Sequence, residues 1–229
     1  MPGDSGPAAF DWPTMRNHPE RSVWLTAEAL ARGYPLGVPM TTIERRIVAV
    51  ISARPTHTLT VHSGSASRAE MAAQFRRLVK RLNRGLAKRS PQNPKPLIYV
   101  ATLASAQNSG RYHVHALLWG YLHAVVLLGH CRDLGLGKPK LRRLPAEPTG
   151  DLNYWQQVVY VIAQNEPAFG YHKHRLNEER HPWSRRLLTP QKATLARHCP
   201  HLLSALDAAN DPAVSDEALL SLLPTFSRS

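Results

Sequence analysis

The sequence predicts an α+β fold, an antiparallel sheet with helices packed on one face and helical extensions at both ends. Three observations predict it. THTLTVH (56–62) and YHVHALLW (112–119) are short, rich in β-formers, and alternating or apolar, as strands are. The run 67–89 sets Met71, Phe75, Leu78, Leu82 and Leu86 at three- and four-residue spacing, the apolar stripe of an amphipathic helix. The elements follow in the order strand, helix, strand, strand, helix, strand, helix.

Residues up to about Pro55 carry prolines at 2, 7, 13, 19, 35 and 39 and read as an N-terminal arm (1–55) with a short helix around Val23 to Ala31. Within it, Thr41 or Thr42 caps TIERRIVAVISAR, which has Glu44 in its first turn, so a second helix precedes Pro55. The central domain (56–180) opens with the THTLTVH strand, the turn SGSAS and the long helix. The Pro-rich turn SPQNPKP leads to a second strand, LIYVATLAS (97–105), and QNSGR turns it into YHVHALLW. A helix is expected from Tyr121 to about Leu134, broken by GLGKPK, then a short strand in KLRRLPAE. Asp151 or Asn153 caps YWQQVVYVIAQ, a helix that ends before Pro167. In the C-terminal tail (181–229), QKATLARHCPHLLSALDAA reads as one helix, with a final helix after it.

The chain has 229 residues and 43% hydrophobic composition, enough to bury a sizeable core. Its 29 Lys+Arg against 16 Asp+Glu give a formal net charge of +13, which suits a partner with a phosphate backbone. Cys131 and Cys199 have neither finger spacing nor a disulfide framework, which fits a reducing compartment. The N-terminus lacks the pattern of a secretory signal, and the longest apolar run, AVVLLG from Ala124, is too short for a membrane span. A cytoplasmic protein is expected, with no membrane partner.

In YHVHALLW, strand alternation places His113 and His115 on one face. Two imidazoles so placed either present their nitrogens to one metal ion or each need a hydrogen-bond partner. The helix at 67–89 has Arg76, Arg77, Lys80, Arg81 and Arg84 with almost no acidic partner after Glu70, which points to phosphate contacts.

Residues 56 to about 175 resemble the HUH single-strand DNA endonucleases, and among them the rolling-circle replication initiators of plasmids and phages. Three ordered blocks carry the likeness: THTLTVH with its basic helix, the histidine–hydrophobic–histidine of YHVHALLWG, and VVYVIAQ, which lies on a helix and holds a tyrosine. The resemblance implies an HUH/RRM-like palm with the histidines on a central strand and the tyrosine helix across the same side. It implies Tyr160 as nucleophile, giving a 5′-phosphotyrosine link and a free 3′-hydroxyl, and His113 and His115 as ligands of Mg²⁺ or Mn²⁺.

Initiators of this kind commonly carry a lysine three or four residues after the tyrosine, where this chain has Ala163 and Gln164. Tyr160 and Gln164 instead resemble the tyrosine-x-x-x-glutamine of the single-tyrosine transposases in the same superfamily, which makes Gln164 the expected third ligand. Lys173 or His172 would replace the missing positive charge, Arg175 joins the expected DNA contacts, and Thr58 and Thr60 are auxiliary candidates. Tyr154 lies about 240° around the helix from Tyr160, so the enzyme is expected to use one tyrosine.

The implied activity is metal-dependent nicking and joining of one DNA strand to initiate rolling-circle replication. The substrate would be a single-stranded origin. The alternatives are a transposase acting on hairpin ends and a non-catalytic DNA-binding module of the same fold. No GxxxxGK[ST] signature occurs, so unwinding would fall to a host helicase, working with a host polymerase.

Overall fold

The computed structural model describes residues 40, 42–63, 67–92, 95–105, 112–120, 122–144, 152–163 and 187–223. Its elements are α1 (Thr42–Ser52), β1 (His57–His62), α2 (Arg68–Arg89), β2 (Ile98–Ser105), β3 (Tyr112–Trp119), α3 (Ala124–Asp133), β4 (Lys140–Arg143), α4 (Leu152–Ala163), α5 (Lys192–His198), α6 (Pro200–Asn210) and α7 (Asp216–Leu220). The expected helix around Val23 to Ala31 lies outside the described residues.

The four strands form one antiparallel sheet in the order β2-β3-β1-β4. The expected α+β class and antiparallel sheet are present. The expectation that helices cover one face is not met, because they cover both. Strand alternation sends Leu59, Val61, Leu103, Val114, Ala116 and Leu118 to one side, where Met71, Phe75, Leu78 and Leu82 of α2 and Leu127 and Cys131 of α3 close a core. Ile98, Val100 and Leu117 point the other way. They pack with Ile47, Val48 and Ile51 of α1, Val158, Val161 and Ile162 of α4, and Leu202, Ala205 and Leu206 of α6. An apolar strand such as β3, buried on both faces, needs two helical layers to keep it from water.

Local chemistry sets the boundaries. Ser67 caps α2, its Oγ accepting from the Glu70 N–H at 3.4 Å. The α3 helix starts at Ala124, three residues after the expected Tyr121. It ends where Gly135 takes φ +67°: Gly135 N–H donates to Arg132 O and Leu136 N–H to Cys131 O, the paired bonds of a glycine-terminated helix. The expected single helix QKATLARHCPHLLSALDAA is two. Proline has no N–H to donate and disfavours helical geometry in the residue before it, and Cys199, ahead of Pro200, sits at φ −152°, ψ 62°.

Stretches expected as extensions take part in the core. Arg45 of α1 donates to Asp216 Oδ1 of α7 and to the carbonyls of Ala208, Ala209, Asp211 and Val214. One guanidinium thus satisfies the C-terminal carbonyls of α6 and fixes the turn into α7. Leu188 returns to β2 and exchanges both backbone hydrogen bonds with Ala101, which covers part of that sheet edge. The opposite edge is β4. No described helix is long and apolar enough to cross a membrane.

Candidate active site

The register of the sheet builds the site row by row. Thr60 of β1 and Thr102 of β2 both lie opposite His115 of β3, and His62 lies opposite His113. Paired residues share a face, so His62, His113, His115, Thr60 and Thr102 all point toward the layer that contains α4. The His113 and His115 rings are 4.6 Å apart between centroids, and His62 stacks on His113 at 5.2 Å.

The α4 helix supplies the tyrosine. Thr102 is buried, and its hydroxyl donates to Val161 O at 2.7 Å, which pins the last turn of α4 to the sheet. Val161 is the neighbour of Tyr160, whose half-buried ring stands edge-on to His115 with centroids 5.2 Å apart. Tyr154 has another role. It is 1% exposed, its hydroxyl donates to Pro55 O at 3.2 Å, and burial pushes its pKa up, partly opposed by Arg54. Tyr154 and Tyr160 thus lie in different surroundings on the same helix.

His115 is 6% exposed, and its pKa falls to about 3, chiefly through burial and further through the charges that His113 and His62 carry when protonated. The ring is therefore neutral near pH 7. Its Nδ1 is 3.1 Å from Thr60 Oγ1, while its Nε2 is buried with no hydrogen-bond partner among the described residues. Leaving a buried polar nitrogen unmatched costs about 1–3 kcal/mol. A neutral imidazole with one nitrogen engaged and the other uncommitted has the chemistry of a metal ligand. The His62 pKa is also lowered, by burial and then by Lys140.

Of the expected ligands, the structure brings His113 and His115 together beside Tyr160, while Gln164 lies outside the described residues, as do His172, Lys173 and Arg175. Among the described residues no group of three His, Cys, Asp or Glu is disposed to hold a metal ion. Two imidazoles with an amide oxygen would suit Mn²⁺, or Mg²⁺ with waters filling the remaining positions. On donor chemistry and on the uncommitted Nε2, the residues fit such an ion.

Thr60 contacts His115, whereas Thr58 is buried opposite Leu117 and Arg142, one row along. Arg76, Arg77, Lys80 and Arg84 are exposed on α2, but α2 packs on the sheet face opposite the histidines. Arg81 is half-buried on the same helix and lies 3.7 Å from Asp133 of α3. The basic helix and the His/Tyr cluster are therefore on different layers. Three residues of the site escape sequence reasoning: His62, Thr102 and Lys140. Their signal is parity within a strand, since His62 shares a face with Thr60 in THTLTVH.

Compared with protein-family models, curated proteins and solved structures, the chain matches none.

Proposed function

We propose that this protein is a metal-dependent single-strand DNA endonuclease and strand transferase that works through Tyr160. The contact between the Tyr160 ring and the neutral, buried His115 carries the reading, because among the described residues Nε2 of His115 is uncommitted beside an oxygen nucleophile.

Tyr160 Oη attacks the phosphorus of one phosphodiester, the P–O3′ bond breaks, and the phenol's proton ends on the departing 3′-oxygen. The DNA is then linked to Tyr160 through its 5′-phosphate. An incoming 3′-hydroxyl reverses the same step, so the link conserves the bond energy and allows rejoining. A Mg²⁺ or Mn²⁺ held by His113 and His115, with Gln164 as third ligand, would supply neutralisation of charge on the phosphate oxygens. Thr60 orients His115, and Thr102 holds α4 in place. Tyr154 takes no part, since its hydroxyl is committed to Pro55.

The biological setting proposed is initiation of rolling-circle replication of a plasmid or phage in the cytoplasm, with unwinding and synthesis by a host helicase and polymerase. The exposed cations of α2, with Lys173 and Arg175, give sequence-independent affinity for the DNA flanks. A non-catalytic DNA-binding module is the second reading, favoured by the lack of a three-residue metal group among the described residues.

The test is incubation with labelled single-stranded DNA pools, origin-like and hairpin, with Mn²⁺ or Mg²⁺, followed by a denaturing gel. A covalent band that disappears with EDTA and with Tyr160→Phe is expected. Preference for hairpin ends would favour a transposase, and binding without any adduct would favour the module.

A further inference from the structure

The β4 strand is four residues long and alternates cleanly. Leu141 turns into the α2 core, which leaves Lys140 and Arg142 on the opposite face, the one that carries the histidines. Register makes the placement specific. Lys140 lies opposite Thr60, and Thr60 lies opposite His115, so the three stand in one row across β4, β1 and β3. Two strand spacings, ~10 Å, separate the Lys140 and His115 backbones. Arg142 stands one row along, opposite Thr58.

Both cations are exposed, and among the described residues neither pairs with a carboxylate. Other basic residues do pair: Arg45 with Asp216, Arg81 with Asp133, Lys192 with Asp207. Positive charges protect an open sheet edge from pairing with another strand, which accounts for charge on β4. That protection does not require the charges to line up with a reactive row.

We infer that Lys140 and Arg142 form a phosphate track that leads a single nucleic-acid strand across β1 to Tyr160 and His115. The inference rests on the proposal that Tyr160 acts on single-stranded DNA, and it adds which surface delivers the strand. Lysine serves as a point charge and arginine as a two-pronged donor to phosphate oxygens. Neither reads sequence. They set the direction of approach, and they are much closer to the reacting phosphate than the cations of α2 on the far layer.

The test is fluorescence anisotropy of a labelled single-stranded oligonucleotide of mixed sequence, titrated with the full chain in EDTA over a series of salt concentrations. Losing two phosphate contacts in Lys140→Gln/Arg142→Gln should lower the slope of log K against log salt by about 1.4, at ~0.7 per contact. The charge-conserving Lys140→Arg/Arg142→Lys should keep the wild-type slope, and thermal melts by circular dichroism establish that both variants are folded. An unchanged slope in the glutamine variant overturns the track. The adduct assay on wild-type protein reads the nuclease proposal separately: an adduct with an unchanged slope sinks the track alone, and a lowered slope without any adduct sinks the nuclease and keeps the track.

Discussion

On one face of the sheet Leu59, Val61, Leu103 and Val114 meet Phe75 and Leu78 of α2 in a hydrocarbon seam. On the other, Thr60, Thr102 and His115 place polar atoms in the layer that α4 closes. The first arrangement stabilises through burial of apolar area, about 1.5–3 kcal/mol for each large side chain. The second gives up part of that, since His115 is held neutral in the interior with a nitrogen unmatched among the described residues. Buried polar groups are nearly always satisfied, so His115 stands apart from the hydrocarbon face in what it contributes to stability. The same division runs along α4: Tyr154 is buried within the core, whereas the half-buried Tyr160 borders it and stands against His115.

The comparison can be broken from either side. Phe75→Ala, on the hydrocarbon face, should cost about 3–5 kcal/mol in urea unfolding. Adduct yield per folded molecule should stay at the wild-type level, and an equal fall in both would mean the two faces are not separable. On the site face, Thr102→Val removes the bond to Val161 O, with an expected loss of about 1–3 kcal/mol. Because that bond positions the turn bearing Tyr160, adduct formation should slow at full folding, and Thr102→Ser should restore it. Unchanged rates in Thr102→Val would show that α4 needs no such anchor.

The smallest effect is expected at Tyr154. Tyr154→Phe should cost about 1 kcal/mol near pH 7 through the lost bond to Pro55 O. The folded-state pKa of Tyr154 is raised, so its contribution is whole below the unfolded value near 10 and is lost as pH rises above it. There the unfolded chain gives up the proton first. Wild-type stability should therefore fall above pH 10 by up to about 1.4 kcal/mol per pH unit more than that of Tyr154→Phe. Equal slopes would place the Tyr154 hydroxyl in contact with solvent.

Much of this division is legible in the sequence where a period is long enough to carry it. The seam of α2 repeats over 22 residues, and the parity of YHVHALLW puts His113 and His115 together. The threonine cap and Glu44 of TIERRIVAVISAR mark a helix but not which face of the sheet it covers, so covering of both faces is out of reach of local pattern. The clasp of Arg45 on Asp216 spans 171 positions and leaves no local pattern. The break at Pro200 is different: the chemistry is readable in CPH, and the apolar spacing on either side masks it. Parity likewise marks His62 and Lys140 only once the pairing of β1 with β3 and β4 is known.

The most direct measurement is peptide mapping of the protein after reaction with single-stranded DNA and Mn²⁺. Nuclease trimming followed by tandem mass spectrometry locates the attached nucleotide. The expected result is a 5′-phosphonucleotide on the Tyr160 oxygen, absent from reactions in EDTA. A nucleotide on Tyr154 or on any other side chain, or none on the chain under conditions where it binds the DNA, would contradict the assignment of Tyr160 as the nucleophile.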